Sequence, residues 1–148
     1  MNKVQVESYY DLIKECFSSD PELISTWHIE AGTSVDNCTI KTCKDLEEAE
    51  VTVYALQKDN KVVGYFGIEK LEWLHCMTGF FIKPEYRTKE VVKEFWSVVD
   101  NSFEDDYYVG LYKKNTPAVA FLRRRTPTII DVDEESIFFV VNKESTCH

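Results

Sequence analysis

Three features of the chain predict a mixed α/β domain. The hydrophobic period shifts from about 3.6 residues to 2 near residue 51. A strand–helix–strand unit then spans residues 73–112, which requires two parallel strands. Two short apolar runs, residues 128–132 and 137–141, close the chain as a hairpin. Together they imply a mixed, mostly antiparallel sheet of about six to seven strands with helices on both faces.

Each element follows from local chemistry. Residues 4–17 read as a helix, because Tyr9, Tyr10, Ile13, Cys16 and Phe17 share one face at helical spacing. Asp20-Pro21 supplies an N-cap and a first-turn proline for a short second helix through Leu23, Ile24 and Trp27. Residues 31–48 hold Gly32, several threonines and part of an acidic cluster at 45–50; they are mixed and yield no clear element. Residues 51–57 and 62–68 alternate as strands about a tight turn at Asp59-Asn60. Residues 73–82 form a third strand, interrupted by Gly79, and a glycine there often marks a bulge. Residues 87–103 carry a helical apolar face of Val91, Phe95, Val98 and Val99. A strand follows at 107–112, and Thr116-Pro117 opens a short helix to about residue 124. Residues 133–136 turn the last hairpin.

At 148 residues, one domain over 1–148 is expected, with room for a core that needs no staples. The five cysteines lack paired spacing, and the three histidines are scattered, so neither a disulfide framework nor a metal site is expected. No apolar run approaches the roughly 18 residues of a membrane span, and the N-terminus has no secretory core, which points to the cytoplasm. A net charge of −9 disfavours nucleic acid as a partner. Residues 83–125 nevertheless carry nine Lys/Arg against seven Asp/Glu. That mildly basic segment suits an anionic cofactor, and the acidic remainder suits a cationic substrate.

The segment Phe81-Ile82-Lys83-Pro84-Glu85-Tyr86-Arg87 is an apolar strand running into a turn that opens a helix. Asn115-Thr116-Pro117-Ala118-Val119-Ala120-Phe121 reads Asn-x-x-Ala-x-x-Phe. With the element order, these segments resemble the GNAT superfamily of acyl-CoA-dependent N-acyltransferases. The likeness covers residues 50–142 well and the N-terminal helices loosely. It implies acetyl-CoA or another acyl-CoA as co-substrate and an amine acceptor, either a small molecule or protein-borne. The strand ending at Ile82 would part from the strand at 107–112. Pantetheine would then lie along the backbone of Phe80, Phe81 and Ile82. The pyrophosphate would rest on N–H groups of Arg87, Thr88, Lys89, Glu90, Val91 and Val92, and Asn115 would flank the cofactor.

Two departures stand out. The family's loop reads Gln/Arg-x-x-Gly-x-Gly/Ala, whereas this chain has Glu90 and Val92 at the small positions. A Cβ obstructs close backbone approach, and a carboxylate opposes a phosphate. Leu122 falls where many members carry a tyrosine that protonates the leaving thiolate, and Tyr112, at the end of the neighbouring strand, is a candidate substitute.

Transfer to an amine also needs a route for its proton. His75, Glu72 and Glu69 lie on or beside the third strand and are the candidates; an unperturbed imidazole changes charge near neutrality, which makes histidine the attractive type. His75 and Cys76 point to opposite faces of a strand, so they form no dyad. Arg123, Arg124 and Arg125 suit either a cofactor 3′-phosphate or the helix dipole. Trp73 is the aromatic residue expected beside the acceptor cleft, whereas Tyr9, Tyr10, Trp27 and Phe121 are expected in the core. Two functions are compatible with these residues. One is an N-acetyltransferase working by direct attack in a ternary complex. The other is a GNAT-like interaction module with weakened cofactor binding, in the manner of small phage-associated proteins of this fold. An apolar edge strand at the C-terminus would allow a homodimer.

Overall fold

The computed structural model describes residues 1–27, 34–126 and 128–143. The expectations on Gly32 and on the Trp27 side chain lie outside the described residues. The chain runs β1 (Asn2–Val6), α1 (Tyr10–Ser18), α2 (Pro21–Trp27), α3 (Val35–Glu48), β2 (Thr52–Lys58), β3 (Lys61–Lys70) and β4 (His75–Ile82). After a 3-10 turn (Pro84–Tyr86) come α4 (Lys89–Asn101), β5 (Tyr107–Tyr112), α5 (Thr116–Arg125), β6 (Ile129–Val132) and β7 (Ser136–Val141). The seven strands form one sheet in the order β1-β2-β3-β4-β5-β7-β6, and β4–β5 is its parallel pair. The mixed, mostly antiparallel architecture is therefore the one the sequence predicts.

Two N-terminal expectations need correction. The helix expected over 4–17 begins only at Tyr10, and residues 2–6 are an edge strand paired with β2. Val4 and Val6 follow the strand period, whereas the helical stripe starts at Tyr9. Residues 35–48, which gave no clear element, are a fourteen-residue helix capped by Ser34, whose Oγ accepts from the Asn37 N–H at 3.1 Å. The Asp20 cap holds: its Oδ1 accepts from the Leu23 N–H at 3.3 Å. Asp59 and Asn60 both have positive φ, as a tight hairpin turn requires.

The sheet is covered on both faces. One core joins α1, α2 and α3 to the sheet through Ile13, Phe17, Ile24, Cys38, Leu46 and Tyr65. The other joins α4 and α5 through Phe95, Trp96, Val99, Phe103 and Leu122 to Phe66, Met77 and Phe139. On this second side a buried polar knot ties α4, β5 and α5 together. The Tyr107 hydroxyl and the Arg125 guanidinium both donate to the Asp100 carboxylate, which is 2 % exposed. Arg125 is thus structural, while Arg123 and Arg124 are exposed. β6 is an edge strand with Ile129, Ile130 and Val132 exposed.

Candidate functional site

β4 and β5 pair from His75 opposite Tyr107 to Thr78 opposite Gly110, and then part. Beyond that point β4 pairs only with β3, and β5 only with β7. The cause is local. Gly79 has φ +78°, a left-handed conformation that costs an L side chain about 1 kcal/mol or more. The β3–β4 register also shifts between Phe66 and Ile68. Gly67 sits at that shift, where a Cβ would lie 2.6 Å from the Thr78 carbonyl oxygen. The strands' divergence opens a cavity of about 260 Å³. Its floor is Thr78, Gly79 and Phe80 on one side and Gly110, Leu111 and Tyr112 on the other. Thr42, Asp45 and Leu46 of α3 overhang it, and Asn115 stands at the start of α5 beside it.

The exit of β4 leads to the second part of the site. Thr88 caps α4, its Oγ1 accepting from the Val91 N–H at 3.3 Å and its carbonyl from the Val92 N–H at 2.9 Å. The Arg87 N–H is bonded to the Pro84 carbonyl. Of the N–H groups expected to hold a pyrophosphate, those of Arg87, Val91 and Val92 are therefore already engaged. Those of Thr88, Lys89 and Glu90 have no acceptor among the described residues, as the start of a helix leaves them.

The Arg87 side chain is also committed. Its Nε donates to the Ile82 carbonyl and its Nη1 to Asp20, each at 2.7 Å, and the guanidinium lies 5.2 Å over the Phe81 ring. Arg87 therefore latches the end of β4 to the start of α2. Lys89 and Glu90 are exposed at the helix start. The open amides and Lys89 suit a phosphate group, and the Glu90 carboxylate opposes it.

The structure divides the expected acid–base residues. Tyr112 is in the cleft. Burial, followed by the carboxylates of Asp45 and Glu135, raises its pKa above the ordinary 10.0, so it stays a proton donor at neutral pH. His75 and Glu72 do not line the cavity. His75 opens β4 on the opposite face, exposed, with its ring 6.5 Å from that of Phe103. Glu72 and Trp73 occupy the loop before it, and Trp73 is 89 % exposed. Glu69 reaches the cleft indirectly, its Oε2 accepting from Thr78 Oγ1 at 3.2 Å. Cys76 lines the cavity, but burial raises its thiol pKa, which makes it a poor nucleophile. Leu122 is fully buried in the α4–α5 core.

The sequence does not single out most of the lining, Thr42, Asp45, Leu46, Thr78 and Phe138 among them. Asp45 reads only as part of an acidic cluster, because α3 has no clear apolar stripe. Among the described residues, no group of three or more His, Cys, Asp or Glu side chains could hold a metal.

A family model described as "Acetyltransferase (GNAT) family" matches residues 6–126. The chain belongs to the GNAT acetyltransferase family. Solved structures are similar across nearly its whole length. An acetyltransferase from Thermus thermophilus superposes with a TM-score of 0.69 at 13% identity, covering 96% of this chain and 97% of that one. A GNAT-family acetyltransferase from Staphylococcus aureus gives 0.62 at 15%, covering 96% and 98%. The PaiA N-acetyltransferase of Thermoplasma acidophilum, solved with coenzyme A, gives 0.60 at 9%, covering 96% and 99%. No curated protein sequence matches the chain. At these identities the structural likeness shows the fold alone.

Proposed function

We propose that this GNAT protein is an N-acetyltransferase that takes acetyl from acetyl-CoA to an amine by direct attack in a ternary complex. The observation that carries this reading is the parting of β4 and β5 beyond Thr78 and Gly110, into a cavity of about 260 Å³. It leaves residues 79–82 of β4 without a strand partner on the β5 side, so the backbone of Gly79 to Phe81 and the Ile82 N–H would pair with an extended ligand, while the Ile82 carbonyl is held by Arg87. The Lys89 and Glu90 amides, with the Lys89 ammonium, would hold the diphosphate. Bound acetyl-CoA supplies the activated thioester. The protein's own contribution is to hold the amine at the thioester carbonyl and to exclude water from the cleft. The acceptor would lose one proton to water before attack, Tyr112 would give its proton to the departing thiolate, and the proton shed by the new amide nitrogen would restore the Tyr112 hydroxyl. His75 and Glu72 remain outside this scheme because the cavity does not reach them.

A thermal-shift titration with coenzyme A and acetyl-CoA tests the reading. A ligand that binds only the folded state at a hundred times its Kd stabilises by about 2.7 kcal/mol, a shift of several degrees for a domain of this size. The alternative of an interaction module draws its support from Glu90 at the phosphate end and from Arg87, already neutralised by Asp20. No shift at millimolar ligand would favour that alternative.

A further inference from the structure

The cleft's lining defines a narrow class of acceptor. Phe17, Leu46, Phe80, Leu111 and Phe138 make its walls apolar and largely aromatic. Its polar groups are mostly neutral hydroxyls and amides, such as Thr42, Thr78 and Asn115. Among the described lining residues there is no lysine, arginine or histidine, and Asp45 is the one side chain charged at neutral pH. Lys113, just beyond β5, acts on Asp133 in the β6–β7 turn and does not line the cavity. A ligand carboxylate would therefore enter without a cationic partner, at the cost of losing its hydration. An ammonium would meet the Asp45 carboxylate, and an apolar body would lie against the aromatic walls.

We propose that the acceptor is a primary amine with an apolar, preferably aromatic, body and no acid group, and that Asp45 selects it by pairing with its ammonium. The body supplies most of the affinity through burial, and the carboxylate supplies orientation and charge discrimination. Amino acids with the same side chain are rejected because their carboxylate finds no partner. The transfer itself rests on the acyltransferase reading above, whereas the charge selection rests on the cleft alone and is testable without turnover.

The test is titration calorimetry of the full chain, with and without coenzyme A, against 2-phenylethylamine, L-phenylalanine and phenylacetate. N-Acetylated product is measured in parallel by mass spectrometry. 2-Phenylethylamine is expected to bind at least ten-fold tighter than L-phenylalanine. Asp45→Asn, an isosteric change at an exposed helix position, should weaken it about five-fold, the range of a partly solvated ion pair. Asp45→Lys should reverse the order in favour of phenylacetate. Equal binding of the amine and the amino acid, or indifference of the amine to both substitutions, overturns the inference. If the amine binds as described but coenzyme A gives no shift and no acetylated product forms, the charge selection stands and the transferase reading fails.

Discussion

Tyr112 and Gly79 show how much of this site depends on single residues. The Tyr112 hydroxyl is kept in its acidic form by burial and by the field of Asp45 and Glu135. If it protonates the thiolate, Tyr112→Phe should lower kcat about a hundred-fold with little change in the KM for acetyl-CoA, since general acid catalysis contributes on that scale. An unchanged kcat would assign that proton to water. Gly79 has a different burden. A Cβ there would meet Leu46 and Tyr65 only at 4.0 Å, so space is not the constraint. The constraint is φ +78°, and Gly79→Ala should cost about 1–2 kcal/mol in urea unfolding. If β4 relaxes toward regular pairing, the β4–β5 opening narrows, and the coenzyme A shift should shrink as well.

At the scale of elements, legibility followed hydrophobic contrast. β2, β5 and β7 alternate, and β3 and β4 are short apolar runs bounded by turn residues, so the sheet and its parallel pair could be predicted. α3 could not, because its buried stripe is Cys38, Thr39, Cys43 and Leu46, small or weakly apolar side chains among charged ones. Counting cysteine as apolar and reading Ser34 as a cap would have exposed it. Its loss hid Asp45, whose position over the cleft is a tertiary fact. The opening of α4 was legible in position and misleading in detail. Arg87 matches the motif, yet the fold binds it to Asp20 and Ile82. Glu90 in the first turn of α4 stabilises the helix dipole by a few tenths of a kcal/mol while repelling a diphosphate. Glu90→Gln should therefore slightly lower the melting temperature of the free protein and enlarge its rise with coenzyme A. A smaller rise would mean that the Glu90 carboxylate faces away from the phosphates.

The whole molecule is a sheet between two cores, and each core contains acidic protons that folding holds in place. On the α1–α3 side, burial pushes the Cys16 thiol from 9.0 up to about 12, and it raises the fully enclosed Tyr65 well above 10.0. On the α4–α5 side, burial and the hydrogen bond to Asp100 raise Tyr107. In every case the folded state keeps a proton that the unfolded chain gives up, so the unfolded chain binds fewer protons as pH rises. The stabilisation is complete below the unfolded values and is lost above them. Stability should hold level from pH 7 to about 8.5, then begin to fall near 9 as Cys16, and with it Cys38, Cys43 and Cys76, would ionise in the unfolded chain. Past 10 Tyr65 and Tyr107 join, together with the less enclosed Tyr9 and Tyr112, and each withheld group adds a slope of up to about 1.4 kcal/mol per pH unit. Urea unfolding at intervals from pH 7 to 11, under reductant, measures this directly. Cys16→Ala should soften the onset near 9 and leave the steeper limb above 10. Level stability up to pH 11 would mean that water reaches both cores, and that neither face of the sheet is sealed as the packing of Phe17, Tyr65 and Phe81 on one side and Phe95, Phe103 and Tyr107 on the other requires.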